Sequence, residues 1–172
     1  MPLRDYSFIA DTDSLEALRR LRRGWAGWVL ADGEFHVRLR DGGTVRAHVD
    51  AAVIEPGFEV SCLVADFLPD AADVPARDSA FTSDANDVAL FRGVTWLEPR
   101  PDLGPDHTIQ FSAIPGFPIS DGAVASCQFT DAIAITTDGA AMVVRLALRP
   151  GWLEVIEEPA AVAEFVSQRG FT

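Results

Sequence analysis

The chain contains no lysine: all fourteen of its basic residues are arginine. A Schiff-base enzyme needs a lysine amine, and a Walker-type phosphate loop needs a lysine beside its phosphates, so both classes are excluded. Cysteine is scarce too. Cys62 and Cys127 each lie in an apolar, strand-like run, and two thiols without C-x-x-C spacing make neither a zinc site nor a redox motif. They read as small buried hydrophobes, with a disulfide allowed but not implied. Only three histidines, His36, His48 and His107, are on hand for acid-base or metal chemistry. No G-x-S-x-G elbow, H-E-x-x-H helix, G-x-G-x-x-G turn or complete EF-hand loop occurs. The longest apolar run, Trp25 to Ala31, is too short to cross a bilayer, and the opening residues lack the charged-then-apolar pattern of a signal peptide. A soluble, cytoplasmic protein is expected.

What the chain does have is negative charge, unevenly spread. The formal net charge is −12; residues 1–50 carry eight arginines against eight acids, and residues 51–172 carry six against eighteen. Such a field repels phosphate backbones and anionic lipid, which argues against nucleic-acid and membrane binding and favours a basic partner. At 172 residues the chain suits one domain spanning 1–172, long enough to bury a core without disulfide or metal staples.

Strand signals dominate. Trp25–Ala31, Glu34–Arg40 and Thr44–Asp50 are separated by the turn pairs Asp32-Gly33 and Asp41-Gly42-Gly43, which predicts a three-stranded meander. A two-residue Asp32-Gly33 loop sets Leu30 opposite Phe35 and Trp28 opposite Val37. A three-residue Asp-Gly-Gly loop sets Val37 opposite Ala47 and Leu39 opposite Val45, keeping apolar with apolar. One face then holds Ala26, Trp28, Leu30, Phe35, Val37, Leu39, Val45, Ala47 and Val49. A fourth strand is expected through Phe58, Val60, Cys62 and Val64, a fifth over Val88–Glu98, another over His107–Ile114, and a hairpin about Asp138-Gly139 that pairs Ile135 with Met142 and Ile133 with Val144. Trp152–Glu157 closes the set. A helix over Ser14–Arg23 is predicted with Asp13 as its cap, and a second over Pro159–Arg169 with Val162, Phe165 and Val166 inward. The class is α+β: predominantly antiparallel sheet of about eight or nine strands in hairpins, open to curling or barrel closure, with an N-terminal and a C-terminal α-helix.

Two groups of residues are candidates for function. The first is a partner-binding set: Arg19, Arg20, Arg22 and Arg23 at the end of the first helix, and Asp70, Asp73, Asp78, Asp84 and Asp87 in the acidic stretch between Leu68 and Asp87. The second is a metal set. The three-residue loop places His36 opposite His48 and Glu34 opposite Asp50, and two histidines with one carboxylate are a known ligand set for iron or zinc. Arg38 facing Arg46 next door opposes a cation there. Trp25 opposite Arg40 would allow a cation over its ring.

The reading that follows is a non-catalytic binding protein for a basic partner surface, of inhibitor, immunity or adaptor type, with no cofactor. The alternatives are a metal-dependent enzyme or sensor at His36, His48 and Asp50 or Glu34, and a small-ligand-binding β domain. Exposed strand edges leave a homodimer open.

Overall fold

A computed structural model describes residues 4–8, 11–55, 58–70, 87–99, 108–112, 125–137 and 139–169. Ten strands and two helices follow in the order β1 (Arg4–Phe8), α1 (Thr12–Arg19), β2 (Trp25–Ala31), β3 (Glu34–Leu39), β4 (Thr44–Glu55), β5 (Phe58–Leu68), β6 (Asp87–Pro99), β7 (Thr108–Ser112), β8 (Ala125–Thr136), β9 (Ala141–Leu146), β10 (Leu153–Ile156) and α2 (Pro159–Arg169). They form two sheets. One has the order β2-β3-β4-β5; the other has the order β10-β9-β8-β6-β7, with β1 running parallel along β8 beyond the end of β9. Every other pairing is antiparallel, and neither sheet closes into a barrel among the described residues.

The two sheets share one core. Trp28, Phe35, Val37, Val45, Ala47 and Leu63 of the first meet Ile133, Ile135, Met142, Val144 and Leu153 of the second, with Ala17, Leu18 and Leu21 closing the side. On its other face the larger sheet carries α2, whose Val162 packs with Phe91, Ala132, Ala134 and Val143. The helix has the expected span, with Phe165 and Val166 also packed inward. Glu158 caps it, its carboxylate accepting from the N–H groups of Ala160 and Ala161 at 3.1 and 2.7 Å.

Helix α1 starts two residues earlier than the spacing predicts. Its cap is Asp11, whose Oδ1 accepts from Ser14 N–H at 2.8 Å, not Asp13. A 3₁₀ turn over Arg20–Arg22 then tightens the chain so that Leu21 is fully buried. Ser14 is itself buried, and its Oγ accepts from Ala65 N–H of β5 at 3.1 Å, across the edge of the smaller sheet.

The first hairpin follows the expected register, with Leu30 opposite Phe35 and Trp28 opposite Val37. Asp32 (φ 52°) and Gly33 (φ 79°) form the left-handed pair that a two-residue loop of this twist requires. Further along, an irregularity between Trp25 and Gly27 changes the outcome. Trp25 lies opposite Leu39 rather than Arg40, its ring is fully buried, and Ala26 turns outward. Arg40 therefore does not stack on Trp25; its Nε donates to the Trp25 carbonyl at 2.9 Å.

The second hairpin differs by two residues from the expected register. Phe35 lies opposite Ala47, Val37 opposite Val45 and Arg38 opposite Thr44. Leu39 N–H donates to Gly43 O at 3.1 Å, and left-handed Gly42 and Gly43 complete a longer turn than Asp-Gly-Gly alone. A two-residue slip leaves every side chain on its own face, so alternation is blind to it. β5 extends to Leu68, and its Leu63, Ala65 and Phe67 face the shared core while Val60 and Cys62 are buried as well. The Asp138-Gly139 hairpin keeps its expected pairs, Ile135 with Met142 and Ile133 with Val144.

The sheets also touch backbone to backbone, where Leu153 N–H donates to Gly33 O at 2.8 Å. A Cβ on Gly33 would lie 2.7 Å from two ring carbons of Trp152. Gly33→Ala is expected to cost about 1–3 kcal/mol, combining left-handed strain with displacement of that ring. Urea unfolding should show a lower midpoint for it than for Gly139→Ala, whose Cβ would meet nothing within 4 Å.

Candidate functional site

The outward face of the smaller sheet carries a line of charged groups. Glu34 and His36 alternate on β3, Arg46 and His48 on β4, and Asp66 lies on β5 directly opposite Arg46. The register places His36 opposite Arg46, where His48 was expected. Arg46 is thus the centre. Its Nη2 donates to Asp66 Oδ2 at 2.7 Å, and its Nη1 lies 3.9 Å from Glu34 Oε2. Each carboxylate also holds one imidazole: His36 Nε2 is 3.2 Å from Glu34 Oε2, and His48 Nε2 is 2.9 Å from Asp66 Oδ2. The sequence of charges is His36, Glu34, Arg46, Asp66, His48.

Burial and charge set the protonation of this row. His36 is only 9% exposed, and burial holds its pKa below the ordinary imidazole value, a shift that Glu34 opposes and Arg46 reinforces. Asp66 lies below the usual carboxylate range, chiefly through the hydrogen bond from Arg46 and further through that of His48. Two nitrogens, His36 Nδ1 and Arg46 Nε, are buried without a hydrogen-bond partner among the described residues. The row otherwise satisfies itself: two carboxylates are shared by one guanidinium and two rings.

The candidate metal set separates in this arrangement. Asp50 lies opposite Cys62, and its Oδ1 accepts from Ala51 N–H at 2.9 Å. The expected face-to-face histidine pair is replaced by the His36–Arg46 neighbourhood, which puts a fixed positive charge where a cation would sit. Among the described residues no group of three or more His, Cys, Asp or Glu side chains is spaced to hold a metal ion. Asp66 is the site residue that sequence reasoning missed. The expected alternation of the fourth strand, with Phe58, Val60, Cys62 and Val64 on its apolar face, carried on past Val64 puts Asp66 on that apolar face, so the local pattern points away from its place beside Arg46 and His48.

The partner-binding candidates are dispersed. Arg19 pairs with Glu16 and Arg23 with Asp41, both at 3.6 Å, and the Arg20 guanidinium lies 4.0 Å from the centroid of the Phe67 ring. Arg22 also has a partner within the chain. Arg19 and Arg22 rim a cleft of about 140 Å³ between α1 and β6, floored by Leu15, Leu18, Val88 and Leu90. That volume falls below the roughly 300 Å³ at which pockets hold drug-sized ligands. Asp70 is exposed in the turn after β5. Asp73, Asp78 and Asp84 lie outside the described residues, as does His107, and Asp87 opens β6 with its side chain likewise outside them. Among the described residues no helix is long and apolar enough to cross a membrane.

No protein-family model, curated protein or solved structure matches this chain.

The two shifted groups give the fold a defined acid response. His36 binds its proton less readily folded than unfolded, so stability is full above its ordinary value near 6.5 and falls as pH drops below it. Asp66, depressed in the fold, adds a second loss as pH falls below about 3.8 and through its folded value. His36→Gln should flatten the unfolding free energy between pH 7 and 5 while leaving the steeper loss below 4. Removing the hub is a separate test. Arg46→Met strands two half-buried carboxylates together, and a loss of about 1–3 kcal/mol in chemical denaturation at pH 7 is expected, smaller at pH 4.

Proposed function

We propose that the protein is a non-catalytic binding protein that docks its acidic surface against a basic partner protein, in the manner of an inhibitor, immunity or adaptor protein. One observation carries this reading. Every arginine whose side chain is described engages a group of its own chain. Arg19, Arg23, Arg46, Arg145 and Arg169 pair with carboxylates, Arg20 and Arg149 lie over rings, Arg40 holds the Trp25 carbonyl, and Arg22 and Arg38 have partners too. With those positive charges committed to the fold, the surplus that gives the chain its net charge of −12 is left to act outward. A field of that sign accelerates association with basic surfaces and discourages acidic ones. The five aspartates between Leu68 and Asp87 concentrate part of it in one stretch of sequence.

The test begins with proteins of the source cell retained on the immobilised chain and eluted by salt. The dissociation constant of the retained partner is then measured at 50 and 300 mM NaCl. It should weaken at least about tenfold, mainly through a slower association rate. Replacing Asp70, Asp73, Asp78 and Asp84 together by asparagine should weaken it further at low salt. An affinity indifferent to both changes would defeat the proposal.

A further inference from the structure

Cys62 and Cys127 take no part in the docking reading, yet they stand in a particular relation. Cys62 lies on β5 of the smaller sheet and Cys127 on β8 of the larger one, and these two strands pack directly on each other. Both thiols are buried, at 5% and 0% exposure, and both are unbridged. Cys62 Sγ sits 3.5 Å from the Asp50 carbonyl oxygen, which fixes it within the strand pair. The thiols are also close enough to sense each other: negative charge on Cys62 adds to the burial that pushes Cys127 up to about 11. Neither thiol belongs to the principal core cluster or to the layer under α2.

We propose that Cys62 and Cys127 form a modification site, closing into a disulfide that ties the two sheets together when a small-molecule disulfide such as oxidised glutathione is supplied. The chemistry is two exchanges. Cys62, the more exposed, attacks as thiolate on one glutathione sulfur, forming a mixed disulfide and releasing the first glutathione thiolate. Cys127 then attacks the Cys62 sulfur, breaking the mixed disulfide and releasing the second. Two electrons pass to glutathione, and the protons given up by the two cysteines end on the two released thiols. Since the thiolate is the attacking species, the raised value of Cys127 makes the second exchange slow at neutral pH and faster as pH rises. The bridge closes a long loop of chain and so removes much of the freedom of the unfolded state.

The full chain is unfolded in denaturant and refolded in a glutathione redox buffer, so that burial does not limit access. Intact mass and peptide mapping then follow the thiols. The expected product is a monomer lighter by about two hydrogens, with the Cys62 and Cys127 peptides joined, and a thermal midpoint higher by roughly 5–15 °C. Cys127→Ser, refolded alongside, should show only free thiol or a glutathione adduct on Cys62 and no rise in midpoint. A wild-type product that keeps both thiols reduced, carries two separate adducts or links two chains overturns the proposal. So does a bridged monomer with a lower midpoint, because the native geometry would then not accept the bond.

Discussion

Trp25 is the joint on which the molecule is assembled. Its indole Nε1 donates to Leu21 O at 2.6 Å, its carbonyl accepts from Arg40, and its ring packs 6.4 Å from that of Phe35 in the space between the sheets. Helix end, hairpin and inter-sheet core therefore meet in one residue. Burying an aromatic side chain of this size contributes roughly 2–3 kcal/mol, and the hydrogen bond lets the indole N–H enter the core satisfied. The irregularity beside Gly27 follows from this demand: a regular strand would have sent the ring to solvent and Ala26 inward.

The polar side of the same sheet obeys a different constraint. A half-buried charge is tolerated when opposite charges offset it, and the planar fork of Arg46 reaches carboxylates on both neighbouring strands, while its buried Nε has no hydrogen-bond partner among the described residues. A lysine would offer one point of charge to two acceptors on opposite sides. The same commitment recurs elsewhere, as in Arg145 with Glu154 across β9 and β10 and in Arg169 of α2 with Asp131 of β8. Arginine without lysine is thus more than a compositional habit in this chain, since its guanidinium groups are used as ties between elements.

Much of the architecture was legible beforehand, and the exceptions share a cause. Strand spans, the Asp32-Gly33 turn, the register of β8 with β9 and the C-terminal helix follow from local signals: alternation, glycine where φ is positive, and proline at a helix start. What alternation cannot supply is translation along a strand by two residues. For that reason Phe35 and Val37 were assigned to the correct face while His36 was given the wrong neighbour. The decision rests with the turn, where Gly43 lies so close under the Phe67 ring that a Cβ would come within 2.6 Å of it. Phe67 is far away in sequence, so no local reading of the turn could include it. The same holds for Asp66, whose role depends on a strand continuing beyond its clearest alternation, and for β1, whose pairing with β8 spans most of the chain.

The Ser14 hydroxyl that meets Ala65 N–H has a consequence for how copies of this protein behave toward one another. Among the described residues β5 ends its sheet, and a terminal strand with open backbone groups is a template on which a stray strand can grow. Here α1 lies along that border and a side chain of the helix occupies a donor that a foreign carbonyl would otherwise take. The first helix is therefore a guard rail as well as a core element: conditions that peel it away without unfolding the sheets would open that border to ordered aggregation between copies.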